Sequence, residues 1–206
     1  MAPSSKFEEQ AMASGARLVA GIDEAGRGPL AGPVVAAAVV LADLSIIPGL
    51  DDSKVLSEKK RNILFDIIFA RAQSVGIGVI EPEEIDRINI LQATRLAMKN
   101  AVSQLHLEPD FLLIDGPIKL DVPCNQLSVI KGDKLSMSIA AAGIVAKVTR
   151  DRIMDELDRE FPDYGFSKHK GYGTKAHQKA IACHGACRVH RKSFRLLPEA
   201  VQTSFL

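Results

Sequence analysis

"GIDEAGRGPLAG", residues 21–32, is the segment from which the fold and a polar site can be predicted. An apolar run at residues 18–22 leads directly into two adjacent acids, Asp23 and Glu24, and three glycines, an arginine and a proline follow. Acidic side chains are rarely buried unless they are paired or bind a metal. We therefore expect a core strand over residues 17–22 that ends at a polar site, with the glycines and Pro29 turning the chain behind it.

Length and composition indicate one globular domain. The chain has 206 residues, 47% of them hydrophobic, which is enough to form a core. We expect a flexible N-terminal segment at residues 1–16, the main core at residues 17–163, and a basic helical part of the same domain at residues 164–206. The longest apolar stretch, residues 29–42, is interrupted by Gly32 and Pro33 and is shorter than the roughly 20 residues of a transmembrane helix. No membrane association is predicted.

The cysteines indicate a reducing compartment. Cys124, Cys183 and Cys187 are odd in number and irregular in spacing, which favours free thiols and a cytoplasmic location. Cys183 and Cys187 lie near His184 and His190, but their order and spacing are not those of a zinc site.

Positive charge is concentrated at the C-terminal end. Residues 164–206 contain five lysines and three arginines against one acid, Glu199, although the whole chain has a net charge of only +1. Such asymmetry indicates a polyanionic partner. A solvated basic tail is the alternative that charge alone leaves open.

Hydrophobic periodicity predicts alternating strands and helices. Strands are expected at residues 17–22, 34–41, 74–80, 111–115 and 126–130. Helices are expected after Ser57 as N-cap, from Pro82, over residues 90–105, from Asp133 to Pro162, and near residues 175–182. The apolar stripe of the first of these helices is assigned to Ile63, Ile67 and residues 69–70. This order predicts an α/β fold with a mixed sheet and helices packed on it.

Two further acids follow predicted strands. Asp115 ends the run at residues 111–115, and Asp133 follows Gly132 after the next strand. Reactive groups gather outside strand ends in open α/β sheets, so Asp23, Glu24, Asp115 and Asp133 are expected to form one carboxylate cluster. Read singly, each acid could instead be an exposed loop carboxylate, or a helix N-cap in the case of Asp133.

A carboxylate cluster requires protonation or bound cations. Two like unit charges about 4 Å apart repel by about 4 kcal/mol at an effective dielectric constant of 20. Oxygen ligands without nearby cysteine or histidine select Mg²⁺ or Mn²⁺. Two such ions are the usual machinery for hydrolysing a phosphodiester.

The motifs together resemble the bacterial ribonuclease HII family over about residues 18–194. They occur in the order GIDEAGRGPLAGPVV, DDSKVLS, NILQAT, LLIDG, KGDKLSMSIAAAGIVAKVTRD, FPDYGFSKHKGYGT and HRKSF. The resemblance implies a ribonuclease H-like five-stranded mixed sheet flanked by helices, with residues 17–163 as the catalytic core. It implies that Asp23, Glu24, Asp115 and Asp133 are the catalytic, metal-binding residues, with two Mg²⁺ or Mn²⁺ ions in the active state.

The resemblance also implies the substrate and its recognition. The family cleaves the RNA strand of RNA–DNA hybrids and nicks on the 5′ side of single ribonucleotides in duplex DNA, leaving 3′-hydroxyl and 5′-phosphate ends. Its glycine loop corresponds to Gly26, Arg27 and Gly28, and its tyrosine that senses the 2′-hydroxyl corresponds to Tyr172. Basic residues are candidates for phosphate contacts; they are Lys54, Lys147, Lys168, Lys170, Arg188, Arg191 and Lys192. We expect a monomer.

One departure and two alternatives accompany this interpretation. The family commonly has serine where this chain has Gly143, so the hydroxyl group at that position is missing here. A junction resolvase of similar architecture and an inactive hybrid-binding module are the alternative functions. A resolvase would cut branched DNA, whereas an inactive module would be expected to lack one of the four acids.

Overall fold

The computed structural model describes residues 2–44 and 47–197. The strands are β1 (Val19–Ala25), β2 (Val34–Leu41), β3 (Ala72–Ile80), β4 (Phe111–Asp115) and β5 (Asn125–Val129). The α-helices are α1 (Lys6–Ala13), α2 (Glu58–Arg71), α3 (Pro82–Ser103), α4 (Met137–Glu160), α5 (Phe166–His169) and α6 (Lys175–His184). Short 3₁₀ turns cover Gly132–Lys134 and Pro162–Tyr164.

The five strands form one mixed sheet in the order β3-β2-β1-β4-β5, which confirms the predicted fold class. The pairs β1–β2 and β2–β3 are antiparallel, and the pairs β1–β4 and β4–β5 are parallel. Because β1, β4 and β5 run in the same direction, their carboxyl ends meet at one edge of the sheet. The polar site described below lies at that edge.

Helices cover both faces of the sheet. Helix α3 packs against the face of the sheet that carries Ile22 and Ile114. Helices α2 and α4 cover the opposite face. Glycines permit the closest approaches: a Cβ atom at Gly76 or Gly78 would overlap the backbone of α3, and one at Gly21 would overlap the start of α4. The sheet therefore holds α4 directly against the strand that carries the first two acids.

Helix α2 begins as expected but buries a different face. Ser57 is its N-cap and accepts a hydrogen bond from the Lys60 N–H. Leu64 and Ile68 are its buried residues, whereas Ile63 is 52% exposed. The assigned stripe was wrong for Ile63 and residues 69–70, which lie on the solvent side of the helix, whereas Ile67 packs against the core.

Helix α3 is interrupted at Asn89, near the predicted junction between two helices. Asn89 has φ 67° and ψ 162° inside the helix. Its Oδ1 accepts the N–H groups of Leu91 and Gln92 at 3.0 and 3.1 Å, in the manner of a helix N-cap. The break turns the following residue, Ile90, towards the polar site.

The expectations for the N-terminal segment and for the start of α4 were wrong. Residues 2–16 are not a free segment, because α1 inserts the buried carboxylate of Glu8, whose Oε1 accepts hydrogen bonds from the Ser136 and Ser138 hydroxyls at 2.5 and 2.7 Å. Helix α4 begins at Met137 with Ser136 as N-cap rather than at Asp133.

Within the described ranges, no helix is both long enough and apolar enough to cross a membrane.

Candidate active site

A cavity of about 520 Å³ opens at the carboxyl edge of the parallel strands. Three of the four predicted acids line it, together with the loop that follows β1 and one tyrosine. The lining residues are Asp23, Glu24, Ala25, Gly26, Arg27, Gly28, Ser53, Lys54, Ile90, Asp115, Lys147, Arg150 and Tyr172.

Asp23 and Asp115 occupy neighbouring positions on β1 and β4. Each lies one residue beyond the last parallel pair, Ile22 with Ile114. Since side chains alternate along a strand and those isoleucines pack under α3, both carboxylates face α4. Asp23 Oδ1 accepts the Glu24 N–H at 2.7 Å, and Asp115 Oδ1 accepts the Gly132 N–H at 2.7 Å. Backbone donors thus orient both acids.

Glu24 reaches the same cavity although it follows Asp23 directly. Residue Ala25 still pairs with Val35 of β2, so the strand continues past both acids rather than ending at residue 22 as expected. Glu24 Oε1 lies 3.3 Å from Arg27 Nη1. Its Oε2 is buried and has no hydrogen-bond partner in the described part of the chain.

Asp133 borders the cavity rather than lining it. Its N–H lies 3.4 Å from Asp115 Oδ1, and its Oδ2 lies 3.5 Å from the Nζ of Lys54. The buried Asp52, which was not singled out in the sequence, accepts the Lys54 N–H at 2.9 Å and so fixes that loop. The four predicted acids are therefore brought to one site, three in the wall and the fourth beside Lys54.

Burial and mutual repulsion make Asp23, Glu24 and Asp133 hard to ionise. Burial, and then the charges of Glu24 and Asp115, hold the pKa of Asp23 well above its usual value. Burial also raises the pKa of Glu24, and burial followed by the Asp115 charge raises that of Asp133. Lys54 is partly desolvated, but the Asp23 and Asp133 charges raise its pKa above the usual value. The site concentrates negative charge that requires a counterion.

The donor chemistry fits a hard divalent cation. All four acids offer only oxygen, the ligand type that Mg²⁺ and Mn²⁺ prefer, and the buried Glu24 Oε2 lacks a partner. Across residues 2–44 and 47–197, no three acidic, histidine or cysteine groups are already arranged to hold an ion together.

Gly143 of α4 makes room for the first acid. A Cβ atom at this position would overlap Asp23 Oδ2. The missing side chain at the position where the resemblance implies serine therefore leaves space that the Asp23 carboxylate occupies.

We expect Gly143→Ala to lower kcat while leaving the protein folded. The methyl group must displace the Asp23 carboxylate, and a displacement near 1 Å at a reacting centre can cost about 10- to 100-fold. Alanine is preferred to glycine in a helix by about 1 kcal/mol, which offsets part of the crowding. Steady-state kinetics with a thermal melt check this, and a wild-type kcat would show that the Asp23 position is not critical.

Two buried arginines hold the backbone of the glycine loop and of the residues that follow it. Arg191, fully buried, donates to the carbonyls of Gly26, Arg27 and Gly32 at 2.6 to 3.0 Å. Arg150 of α4 donates to Pro33 O at 2.9 Å and to Ala31 O and Lys170 O at 3.1 and 3.0 Å.

The expectation that Arg191 contacts phosphate is wrong, because its guanidinium is buried and engaged with the backbone. Arg150 was missed in the sequence, where nothing separates a buried arginine in an apolar helix from an exposed one.

Tyr172 stands beside the glycine loop at the cavity mouth. It is 47% exposed, and a Cβ atom at Gly28 would lie 3.8 Å from its ring. The loop and the tyrosine, which were predicted to act together, therefore line the same cavity as the acids.

The other basic candidates divide into two groups. Lys54 and Lys147 line the cavity, although Lys147 is paired with Asp151 at 2.7 Å. The rest lie outside its lining: Lys170 is paired with Asp155, Arg188 is paired with Glu160, and Lys168 and Lys192 are exposed. Cys124, Cys183 and Cys187 are free thiols, and Cys183 is exposed.

Comparisons with known proteins show the family of this chain. The family model "Ribonuclease HII" matches residues 20–197. A curated ribonuclease HII of Geotalea uraniireducens is 55% identical over 198 residues, which cover 96% of this chain and 92% of that protein.

Solved structures show the same ribonuclease H-like fold. The ribonuclease H2 of Pyrococcus horikoshii OT3 superposes with a TM-score of 0.75 at 25% identity, covering 92% of this chain and 99% of that one. Bst-RNase HIII in complex with Mn²⁺ gives a TM-score of 0.70 at 19% identity, covering 91% and 70%, and supports the fold alone. Because the family model spans most of its length, this chain belongs to the ribonuclease HII family and is an endonuclease of the ribonuclease H type.

Proposed function

We propose that this endonuclease, which acts on RNA-containing nucleic acids, hydrolyses the RNA strand of RNA–DNA hybrids and nicks 5′ of single ribonucleotides in duplex DNA. The observation that carries the proposal is one cavity that is lined by carboxylates, a glycine loop and a tyrosine. The carboxylates supply the chemistry at phosphate, and the loop and the tyrosine sense the sugar. We further propose that one chain, acting as a monomer, provides every group required.

Enzymes of the ribonuclease H type depend on a divalent metal, and we propose that Asp23, Glu24, Asp115 and Asp133 hold two ions here, Mg²⁺ or Mn²⁺. When bound, such ions activate water and stabilise the leaving 3′ oxygen. The backbone donors to Asp23 and Asp115 hold those carboxylates in place. Lys54, with a side chain 72% exposed, neutralises Asp133 in the free protein and is able to turn to a substrate phosphate.

Discrimination between RNA and DNA is assigned to Tyr172 and the Gly26–Gly28 loop. Metal and phosphate chemistry is the same for both sugars, so recognition requires a group that contacts the 2′-hydroxyl. The Tyr172 hydroxyl can donate or accept a hydrogen bond, and its ring can pack on the adjacent deoxyribose. Gly28 lets the backbone approach the nucleic acid without a side chain between them.

The test is a DNA duplex that contains one ribonucleotide. We expect a nick on its 5′ side in Mg²⁺ or Mn²⁺, 3′-hydroxyl and 5′-phosphate ends, and no product in excess chelator. The matched control is the same duplex with deoxyribose throughout, and a branched all-DNA junction tests the resolvase alternative. Full activity in chelator, or equal cutting of the all-DNA duplex, would overturn the proposal.

A further inference from the structure

A chain of buried hydrogen bonds runs beneath the Tyr172 loop and plays no part in the chemistry proposed above. His177 of α6 bonds through Nδ1 to the Tyr172 carbonyl at 2.9 Å. Its Nε2 lies 3.1 Å from the Nε2 of His190. The Nδ1 of His190 accepts the Cys187 N–H at 3.0 Å. The two rings are 0% and 1% exposed.

The partners fix the proton on each ring. Cys187 donates its N–H, so His190 Nδ1 is an acceptor and a neutral His190 carries its proton on Nε2. That proton is donated to His177 Nε2, which leaves the His177 proton on Nδ1, where it is donated to the Tyr172 carbonyl. One arrangement of two neutral rings satisfies every bond, and a proton added to either ring would place two donors face to face.

The surroundings keep both rings neutral. Burial lowers the pKa of His177 to about 4 and also lowers that of His190. The Phe166 ring packs edge-on to His177 with centroids 5.5 Å apart, and Tyr164 packs 4.9 Å from His190. Both contacts exclude water from the chain of bonds.

A third histidine holds the preceding residue of the same loop. His169 stacks on His177 with ring centroids 4.5 Å apart. Its Nδ1 accepts the Gly171 N–H at 3.3 Å, which leaves Nε2 to donate to the Tyr164 carbonyl at 2.9 Å. Gly171 has φ 82°, and a Cβ atom there would overlap the Ala31 carbonyl, so this backbone is tightly constrained.

The same segment also fixes the glycine loop. His190 immediately precedes Arg191, which donates to the carbonyls of Gly26 and Arg27. Residues 190–191 thus connect two sets of hydrogen bonds. The bonds of His190 and His177 hold the Tyr172 backbone, and those of Arg191 hold the Gly26–Gly28 loop.

We propose that His177 and His190 are positioning residues for ribose recognition, holding Tyr172 against the substrate through a directional bond from His177 Nδ1–H to the Tyr172 carbonyl. This inference rests on the proposed role of Tyr172. It concerns the accuracy with which the ring is placed, and neither histidine contacts the substrate.

The decisive comparison is His177→Asn against His177→Leu. Asparagine keeps an N–H donor near the Nδ1 position, whereas leucine of similar volume has none. We expect His177→Leu to lower kcat/KM on a single embedded ribonucleotide roughly 10-fold, which corresponds to about 1.4 kcal/mol, because the directional bond to the Tyr172 carbonyl is lost. Cleavage within a continuous RNA–DNA hybrid should fall less, and His177→Asn should recover most of the loss. Equal effects on both substrates in His177→Leu would overturn the proposal.

A double substitution separates positioning from general support. In a Tyr172→Ala background the ring is absent, so His177→Leu should add no further loss of the single-ribonucleotide preference. A further loss there would show that His177 acts elsewhere. If Tyr172→Ala itself leaves the single-ribonucleotide preference unchanged, the proposed role of Tyr172 fails. The proposed positioning role of His177 and His190 then fails with it.

The unsubstituted protein provides a test that requires neither turnover nor a variant. Long-range ¹H–¹⁵N spectra of histidine-labelled protein at pH 7 should show His177 protonated on Nδ1 and His190 on Nε2. The opposite tautomers, or a doubly protonated ring at either position, would overturn the hydrogen-bond assignment even if every variant failed to fold.

Discussion

Asp23→Asn is expected to reduce cleavage by about 10³-fold or more and, at the same time, to stabilise the metal-free protein. The activity is lost because an amide is a poor ligand for a hard cation and carries no charge to complement it. The stability rises because Asp23 is almost fully buried. This burial, together with the charges of Glu24 and Asp115, holds the pKa of Asp23 well above its usual value.

The sign of the stability effect follows from proton linkage. A carboxyl whose pKa is raised by folding stabilises the native state only at low pH, where it is protonated, and this contribution is lost as pH rises through the folded pKa. At neutral pH without metal, the charged Asp23 therefore opposes folding. Asparagine removes the charge, and its Oδ1 can still accept the Glu24 N–H that Asp23 accepts.

Chemical denaturation in chelator, at pH 5 and pH 8, measures this effect. Asp23→Asn should be more stable than the parent at pH 8, and the difference should shrink at pH 5. Added Mg²⁺ or Mn²⁺ should stabilise the parent more than the variant. Asp121→Asn, at an exposed acid outside the cavity, is the matched control. It should change neither the cleavage rate nor the stability of the metal-free protein. Retention of near-parental turnover by Asp23→Asn would exclude Asp23 as a catalytic ligand.

The acids were predictable because an acid at the end of an apolar run can be recognised in the sequence. Asp23 and Asp115 each terminate an uninterrupted apolar run, and parallel pairing of β1 and β4 then places them side by side. Asp133 follows β5 through the turn at Gly132–Lys134, and that turn brings its N–H near Asp115. A local pattern sufficed because the edge of the sheet, rather than a distant contact, collects these residues.

The supporting residues were not predictable, because their roles depend on burial. Arg191 lies in a basic segment, where charge composition favours phosphate binding, yet the fold buries it against backbone carbonyls. The stripe of α2 was misassigned because apolar residues occupy both of its faces. The anchoring of α1 through Glu8 depends on a contact across more than a hundred residues. Periodicity carries no information about such distant partners.

Arg191→Ala is expected to destabilise the protein by about 3–5 kcal/mol and to abolish cleavage. Four hydrogen bonds from one guanidinium satisfy the carbonyls of Gly26, Arg27 and Gly32. Truncation leaves these acceptors unsatisfied inside the fold and opens a void beside Phe194, whose ring lies 5.2 Å from the guanidinium. The neighbouring charge of Arg150 is not a substitute, because its own donors are engaged with Pro33, Ala31 and Lys170.

Arg188→Ala is the matched control for this prediction, because Arg188 lies three residues earlier and pairs with Glu160 on the surface. Its removal should leave unfolding and turnover unchanged, since exposed ion pairs contribute little to stability. Arg191→Lys keeps the positive charge but cannot reproduce the planar fork that reaches three carbonyls at once, so it should recover only part of the lost stability. Urea denaturation of the three variants, with kinetics on the single-ribonucleotide duplex, gives the comparison. If Arg191→Ala unfolds like the parent but binds duplex DNA more weakly, Arg191 contacts phosphate after all, and the glycine loop is held by its own turn.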